Sequence, residues 1–195
     1  TCDVGEGDYC KSGTKIASIK GSKEALLTGE RVALNLAMRL SGIATATRNY
    51  VTEISDLPAR LVDTRKTTPG LRVLEKYATR VGGAVNHRMG LDDAVMIKDN
   101  HIKAAGGIEK AIALLRNNIP YPLSIEVETS NLEEVAAALQ HGADIIMLDN
   151  MFLETMIQAV KLIRNTSNRV KIEASCNITL QKIRAVAETG VAYIY

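Results

Sequence analysis

Tryptophan is absent from this chain and phenylalanine occurs once. Six tyrosines bring the aromatic share to only 4%, too little for the stacking platforms that hold single-stranded nucleic acid. Neither charge sign is in surplus. Lys and Arg number 24 against 22 Asp and Glu, a net charge of +2, so the basic excess of a nucleic-acid binder is missing. Cysteine is scarce, and Cys2, Cys10 and Cys176 form no CxxC pair. That pattern argues against a disulfide framework or a structural zinc site and fits a reducing compartment, so a cytoplasmic location is expected. No apolar run reaches the roughly 18 residues of a membrane helix, and no signal-peptide pattern is expected at the start. Nucleic acid and membrane are therefore not expected partners. What is present is an ordinary globular balance: 46% hydrophobic and 24% charged residues in a chain of 195. That balance predicts a packed core and not a disordered chain.

Residues 1–22 are glycine-rich, with apolar residues at alternate positions in Lys15-Ile16-Ala17-Ser18-Ile19. Short strands joined by turns are expected there. A helical period takes over from about Glu24 to Leu40, with Gly42 as its expected stop. From residue 59 short apolar runs alternate with amphipathic stripes. The runs begin at Arg60, Ala94, Leu123, Asp144, Val170 and Val191. The stripes are Ile108 to Leu115, Leu132 to Leu139, Phe152 to Ile163 and Leu180 to Ala187. This alternation predicts parallel strands with crossover helices, an α/β fold. Nearly every run ends in charge, which favours a barrel whose strand ends share one mouth over an open doubly wound sheet. No GxGxxG follows a strand. The expected division is residues 1–58, the end of an N-terminal α/β domain with a connecting helix, and residues 59–195, an α/β barrel.

The charged residues fall into two groups. Residues 60–103 hold nine Lys or Arg against five Asp or Glu, so the basic surplus sits in the first strand–helix units. Arg65 and Lys66 leave a strand end together. Arg offers a planar fork for carboxylate or phosphate, and Lys a mobile point charge. His87, Arg88, Lys98 and His101 follow. Gathered in one mouth, they suit a small polyanion. The alternatives are an ion pair for Lys98, hydrogen-bonded structural roles for the histidines, and a Schiff-base role for Lys98. The second group is acidic. Glu126 and Glu128 lie two apart on one strand and face the same side, and Asp149 ends the next. Such carboxylates suit Mg²⁺ or ribose hydroxyls, or else an inward salt bridge to Lys98 or Arg65. Finally, Glu173-Ala174-Ser175-Cys176-Asn177 leads from a strand into a helix, where backbone N–H groups can hold a phosphate.

Together these segments resemble the quinolinate phosphoribosyltransferase family. The stretches that carry the resemblance run in family order: Gly29 to Asn35, Ser41 to Thr45, Asp63 to Arg72, Gly82-Gly83 with Asn86-His87-Arg88, Ile97 to His101, Glu126-Val127-Glu128, Leu148-Asp149-Asn150, and Glu173-Ala174-Ser175. The resemblance implies a type II phosphoribosyltransferase, a pentosyltransferase. It would join quinolinate to phosphoribosyl pyrophosphate with Mg²⁺, releasing pyrophosphate and CO₂ and giving nicotinate mononucleotide for NAD synthesis. It further implies that Arg65, His87, Arg88 and Lys98 hold the quinolinate carboxylates, with Lys66 near the pyrophosphate and Thr67 among the substrate-binding residues. Glu128 and Asp149 would face ribose and metal, completing a catalytic set with Lys98. Ser175, with Cys176 and Asn177 after it, would take the 5′-phosphate. Arg31 would reach into the neighbouring subunit's site, implying a homodimer or a larger assembly of dimers.

The chain departs from the family pattern in two ways. Cys176 stands where the family has glycine; at positive φ a non-glycine residue costs about 1–2 kcal/mol, so weakened phosphate binding is expected. The chain also lacks family segments at both ends, so a barrel incomplete at its C-terminal end is expected. These departures keep two alternatives open. One is a non-catalytic fragment or degenerate paralogue acting as a scaffold. The other is a sister enzyme acting on nicotinate or another ring acid.

Overall fold

The computed structural model describes residues 1–175 and 177–195. Residues 1–22 contain a single antiparallel bridge, Cys2 to Ala17. It is flanked by hydrogen bonds from the Asp3 N–H to the Ile16 carbonyl and from the Ser18 N–H to the Thr1 carbonyl, both 2.9 Å. The expected set of strands is reduced to this bridge, because Tyr9, Ile16 and Ile19 stay exposed and an isolated pair of strands with no buried face is marginal.

Helix α1 (Lys23–Glu53) follows, capped by Ser22, whose side chain accepts from the Ala25 N–H. It does not stop at Gly42. A glycine inside a helix costs about 1 kcal/mol relative to alanine, and packing beyond it offsets that cost. A Cβ built on Gly82 would stand 2.5 Å from Thr47 Cβ and 2.6 Å from the Ala44 carbonyl oxygen. The second half of α1 therefore rests directly on glycine backbone. Arg48 adds hydrogen bonds to the carbonyls of Gly82 and Val81 at 3.0 and 3.1 Å.

The remaining elements alternate: β1 (Arg60–Leu61), α2 (Arg72–Val81), β2 (Val95–Ile97), α3 (Asp99–Ala105), α4 (Ile108–Arg116), β3 (Ile125–Thr129), α5 (Leu132–Gln140), β4 (Ile145–Asp149), α6 (Leu153–Thr166), β5 (Lys171–Ser175), α7 (Ile183–Glu188) and β6 (Tyr193–Ile194). Each expected apolar run supplies one strand, and the four expected stripes supply α4 to α7. Helices α2 and α3 escape the pattern. In α2 the buried face includes Glu75 and Lys76, which breaks the apolar period. The 7-residue α3 is too short to show a period.

The strands form one sheet in the order β1-β6-β5-β4-β3-β2, and every pairing is parallel. A bridge from Val62 to Val85 adds one more parallel segment outside β1. In a flat sheet that segment would lie five strand spacings from β3, about 24 Å at ~4.8 Å each. Yet His87, two residues on, places Nε2 3.2 Å from Glu126 of β3 and 3.7 Å from Glu173 of β5. The sheet is curled so that its inner face encloses these side chains, in line with the barrel reading. At the C-terminal end, where incompleteness was expected, β6 pairs directly with β1, Arg60 opposite Tyr193 and Leu61 opposite Ile194. The open step lies instead between Val85 and β2. There the Arg88 side chain spans it, donating to the Ala94 carbonyl at 2.9 Å.

Strand alternation sorts the residues into two layers. Ile125, Val127, Ile146, Leu148, Ile172 and Ala174 face outward and join Val135, Met156, Ala159, Ile163 and Ile183 of the helices in one buried cluster. Burial of each large aliphatic side chain contributes about 1.5–3 kcal/mol. The alternate positions, among them Glu126, Met147 and Glu173, are buried but lie outside that cluster. They line the inner face.

Candidate active site

The inner face has a floor and a rim. Glu126 and Glu128 are two residues apart on β3, so their positions differ in depth by about 6.6 Å at ~3.3 Å per residue. Glu126 is 1% exposed and belongs to the floor with Glu173 and His87. The ring of Tyr195 meets His87 edge-on, with centroids 5.4 Å apart at 75°. Burial and the neighbouring Glu126 charge push the Glu173 carboxyl up to about 8. Two carboxylates this close in a dry site do not both ionise readily. Glu126 Oε1, Glu173 Oε1 and Arg65 Nε are buried with no hydrogen-bond partner among the described residues, an unusual concentration of unmet polar atoms.

On the rim, Lys98 Nζ lies 2.5 Å from Glu128 Oε2. Burial acts against the ammonium, but the Glu128 hydrogen bond and charge, with a contribution from Asp149, hold the Lys98 pKa above its ordinary value. The inward salt bridge considered from sequence is therefore the resting arrangement of this pair. His101 takes the structural alternative: its Nδ1 accepts the Lys98 N–H at 3.0 Å and caps α3.

The basic loop after β1 is braced from below. Arg72 Nε donates to Thr67 Oγ1 (3.1 Å), Nη1 to the Met89 carbonyl (3.1 Å) and Nη2 to the Arg65 carbonyl (3.4 Å). Glu75 accepts from the Thr68 N–H at 3.1 Å and from Arg39 Nε of α1 at 2.8 Å. Burial and the Arg65 charge lower the Arg88 pKa from its ordinary value, so two guanidiniums share one neighbourhood. Beside them, the loops after β4 and β5 touch. The Asn150 N–H donates to the Ser175 carbonyl at 3.1 Å, and Asn177 Nδ2 to Asn150 Oδ1 at 3.4 Å. Asn150 and Asn177 have φ of 55° and 51°, a region asparagine tolerates better than most residues.

A model of the quinolinate phosphoribosyl transferase C-terminal domain matches residues 43–195, and one of the N-terminal domain matches residues 1–41. The chain belongs to the quinolinate phosphoribosyltransferase family. It is 64% identical over 191 residues to a probable nicotinate-nucleotide pyrophosphorylase (carboxylating) of Synechocystis, covering 98% of this chain and 65% of that one. To the Bacillus subtilis protein of the same name it is 49% identical, covering 97% of this chain and 64% of the relative. The chain thus spans about two-thirds of the length of these relatives. Among solved structures, NadC from Streptococcus pyogenes superposes with a TM-score of 0.92 at 47% identity, covering 98% of this chain and 66% of that one. A nicotinate-nucleotide pyrophosphorylase from Francisella tularensis gives 0.93 at 42%, covering 100% and 68%.

Within this quinolinate phosphoribosyltransferase fold, most residues singled out from sequence lie around the inner face. Arg65, His87 and Arg88 approach from the β1 side, Lys98 and Glu128 from β2 and β3, and Asp149, Ser175 and Asn177 from the ends of β4 and β5. Thr67 is half-buried and occupied as a brace for Arg72 and the Arg65 carbonyl. The Lys66 side chain is exposed and makes no bond among the described residues. The Arg31 side chain is exposed on α1 and makes no ion pair or hydrogen bond among the described residues. Cys176, the expected departure in the phosphate loop, lies outside the described residues. Sequence reasoning missed Lys76, Arg72, Glu75 and Tyr195, and singled out Glu126 and Glu173 without recognising them as a floor. A cavity of about 410 Å³ between residues 4–10 and helices α1 and α2 is elsewhere and takes in none of these groups.

Proposed function

We propose that this chain carries the catalytic face of a quinolinate phosphoribosyltransferase. The reaction would transfer phosphoribose from phosphoribosyl pyrophosphate to quinolinate and decarboxylate the product to nicotinate mononucleotide, a step of NAD synthesis. The observation that carries the reading is the placement of His87 against Glu126 and Glu173, with Arg88 near Glu126 and Arg65 beside Arg88, and with Lys98, Glu128 and Asp149 on the rim above. Arg65 Nε, buried and unbonded among the described residues, adds a donor for a polar ligand.

The charges suit the chemistry. Quinolinate brings two carboxylates and the donor a pyrophosphate, so cations must offset their repulsion on approach. Arg65 and Arg88 grip carboxylate in bidentate fashion, and His87 supplies a further donor. As pyrophosphate departs, positive charge grows at the sugar carbon, and Glu128 and Asp149 stabilise it. The ring nitrogen then carries positive charge. When the adjacent C–CO₂⁻ bond breaks, the electron pair stays on the ring carbon, where that positive charge stabilises it, and takes up a proton as CO₂ leaves.

Glu128 and Asp149 also fit Mg²⁺. They are half-exposed carboxylates on adjacent strand ends, and Mg²⁺ takes few protein carboxylates and keeps water and substrate phosphate. The ion would neutralise the pyrophosphate when bound. Lys98, which already holds Glu128, orients that carboxylate on the rim.

The decisive experiment pairs calorimetry with an assay of pyrophosphate release. Quinolinate binds more tightly than nicotinate and drives release from phosphoribosyl pyrophosphate. A preference for nicotinate, or binding without release, overturns the reading. We also propose a second copy as partner, in the cytoplasm. Leu27, Val32 and Met38 are 61%, 63% and 60% exposed along α1, beside Arg31, and no helix of the described residues is long and apolar enough to cross a membrane. Arg31→Ala and Lys98→Ala chains, each inactive alone, regain activity on mixing if Arg31 acts across the interface. No recovery, in an assembly shown by sedimentation to be dimeric, removes that role.

A further inference from the structure

His87 lies just past the point where the sheet can hold it. The ladder to β1 ends at Val85, whose N–H donates to the Leu61 carbonyl and whose carbonyl accepts the Asp63 N–H. On its other side the segment faces the open step toward β2. The N–H and carbonyl of His87 therefore have no strand partners among the described residues, and such groups need partners when buried. They find them in one buried ion pair. Asp63 Oδ1 accepts the His87 N–H at 2.8 Å, and Lys76 Nζ donates to the His87 carbonyl at 2.9 Å. Asp63 and Lys76 bind each other directly, with side chains 5% and 1% exposed.

The preceding residue is locked by the same pair. Asn86 Nδ2 donates to Asp63 Oδ2 at 2.6 Å and to the Lys76 carbonyl at 2.8 Å. The following peptide then sets the state of the imidazole. The Arg88 N–H donates to His87 Nδ1 at 2.8 Å, so Nδ1 is the acceptor and the neutral ring carries its hydrogen on Nε2, the atom that faces Glu126 at 3.2 Å. Turning the His87 peptide would lose that tautomer and swing the Arg88 side chain off the open step.

We propose that Asp63 and Lys76 are positioning residues that set the orientation and tautomer of His87, and through them the affinity for the two-carboxylate acid. A buried ion pair is weak evidence for a stabilising role, since apolar replacements are often as stable. Here it meets both backbone polar groups of one site residue, which an apolar pair of the same volume cannot do. The inference rests on the quinolinate reading for its ligand, but the geometry of the histidine is independent of it.

The test uses Lys76→Met in the full chain, with Asp63→Asn measured alongside in case the first fails to fold. Quinolinate affinity, by calorimetry, is expected to fall at least tenfold (about 1.4 kcal/mol), with affinity for phosphoribosyl pyrophosphate kept within twofold. Adding His87→Ala should cost nothing further, because the clamp acts through that residue. Equal loss for both ligands, or multiplying losses in the double variant, overturns the proposal. A second arm needs no substrate. The chain has three histidines, and ¹⁵N spectra, with His87→Gln to assign the signal, report the ring tautomer directly. The parent shows Nε2–H with Nδ1 as acceptor, and the variants show a mixture of tautomers. An unchanged His87 pattern overturns the clamp even if quinolinate proves not to be the ligand. Failure of quinolinate to bind the parent chain, with the tautomer shift present, counts against the substrate reading alone.

Discussion

The floor and the rim of the inner face are built from the same kinds of residue and behave differently. On the floor, His87 sits against Glu126 and Glu173, and burial drives the Glu173 carboxyl up to about 8. On the rim, Lys98 and Glu128 form a partly exposed pair with side chains 49% and 19% accessible, and the lysine pKa moves up. Depth in the barrel makes the difference. Below, desolvation is the larger effect and favours holding a proton. Above, desolvation also acts on Lys98, but the Glu128 hydrogen bond and charge together with the other nearby charges outweigh it, so the ion pair stays charged. On the proposed reading, in which two anions are gathered, both ends are of use: a dry end that fixes geometry and a wet end that can rearrange.

Three measurements would break or sharpen this contrast. The largest effect is expected at the rim, on rate. Glu128→Ala should reduce turnover by about 10²–10³-fold, the range for removing one electrostatic stabiliser; pyrophosphate release near the parent rate would show that the rim carboxylate is not used. Next comes the floor, on stability against pH. A folded-state pKa of about 8 against an ordinary 4.5 means that the folded form holds a proton the unfolded form has released. The associated stability is complete below about pH 4.5 and is lost as pH rises through about 8. Glu173→Gln should flatten that fall, by an amount on the order of a few kcal/mol across the window. Urea melts from pH 5 to 9 that stay parallel for the two proteins would mean the floor carboxyl is ionised throughout. The smallest effect is expected for rim stability. Lys98→Ala should shift unfolding free energy by less than about 1 kcal/mol, since half-exposed pairs contribute little. A shift of several kcal/mol in the same melts would make the rim as buried in character as the floor.

Much of the outer architecture was legible from residue order. The apolar runs at Arg60, Ala94, Leu123, Asp144, Val170 and Val191 each contain a strand, because burial against helices on the outer face demands aliphatic side chains at alternate positions. The gathering of His87, Arg88, Lys98, Glu128 and Asp149 around one inner face was legible too, because charge at the ends of parallel strands converges on the mouth of a barrel. Lys76 was not. It lies in a helix with Arg72, Glu75 and Arg80, where charged residues normally face water, and only its contacts reveal that it is 1% exposed. Gly42 misled for the opposite reason. Its propensity marks a stop, but the close approach of Thr47 and Ala44 to Gly82 carries α1 onward, and that approach joins residues more than 30 positions apart.

By itself the sequence determined that this chain folds as alternating strands and helices, and that cations and carboxylates leave the strand ends. Those properties follow from local period and residue chemistry, which are written in neighbouring positions. Tertiary structure alone decided which carboxylates are dry and which are wet. It also decided that β6 closes onto β1, and that a buried Asp63–Lys76 pair takes the place of missing strand bonds at His87. Depth, curvature and desolvation depend on distances across the barrel, and no local pattern records them.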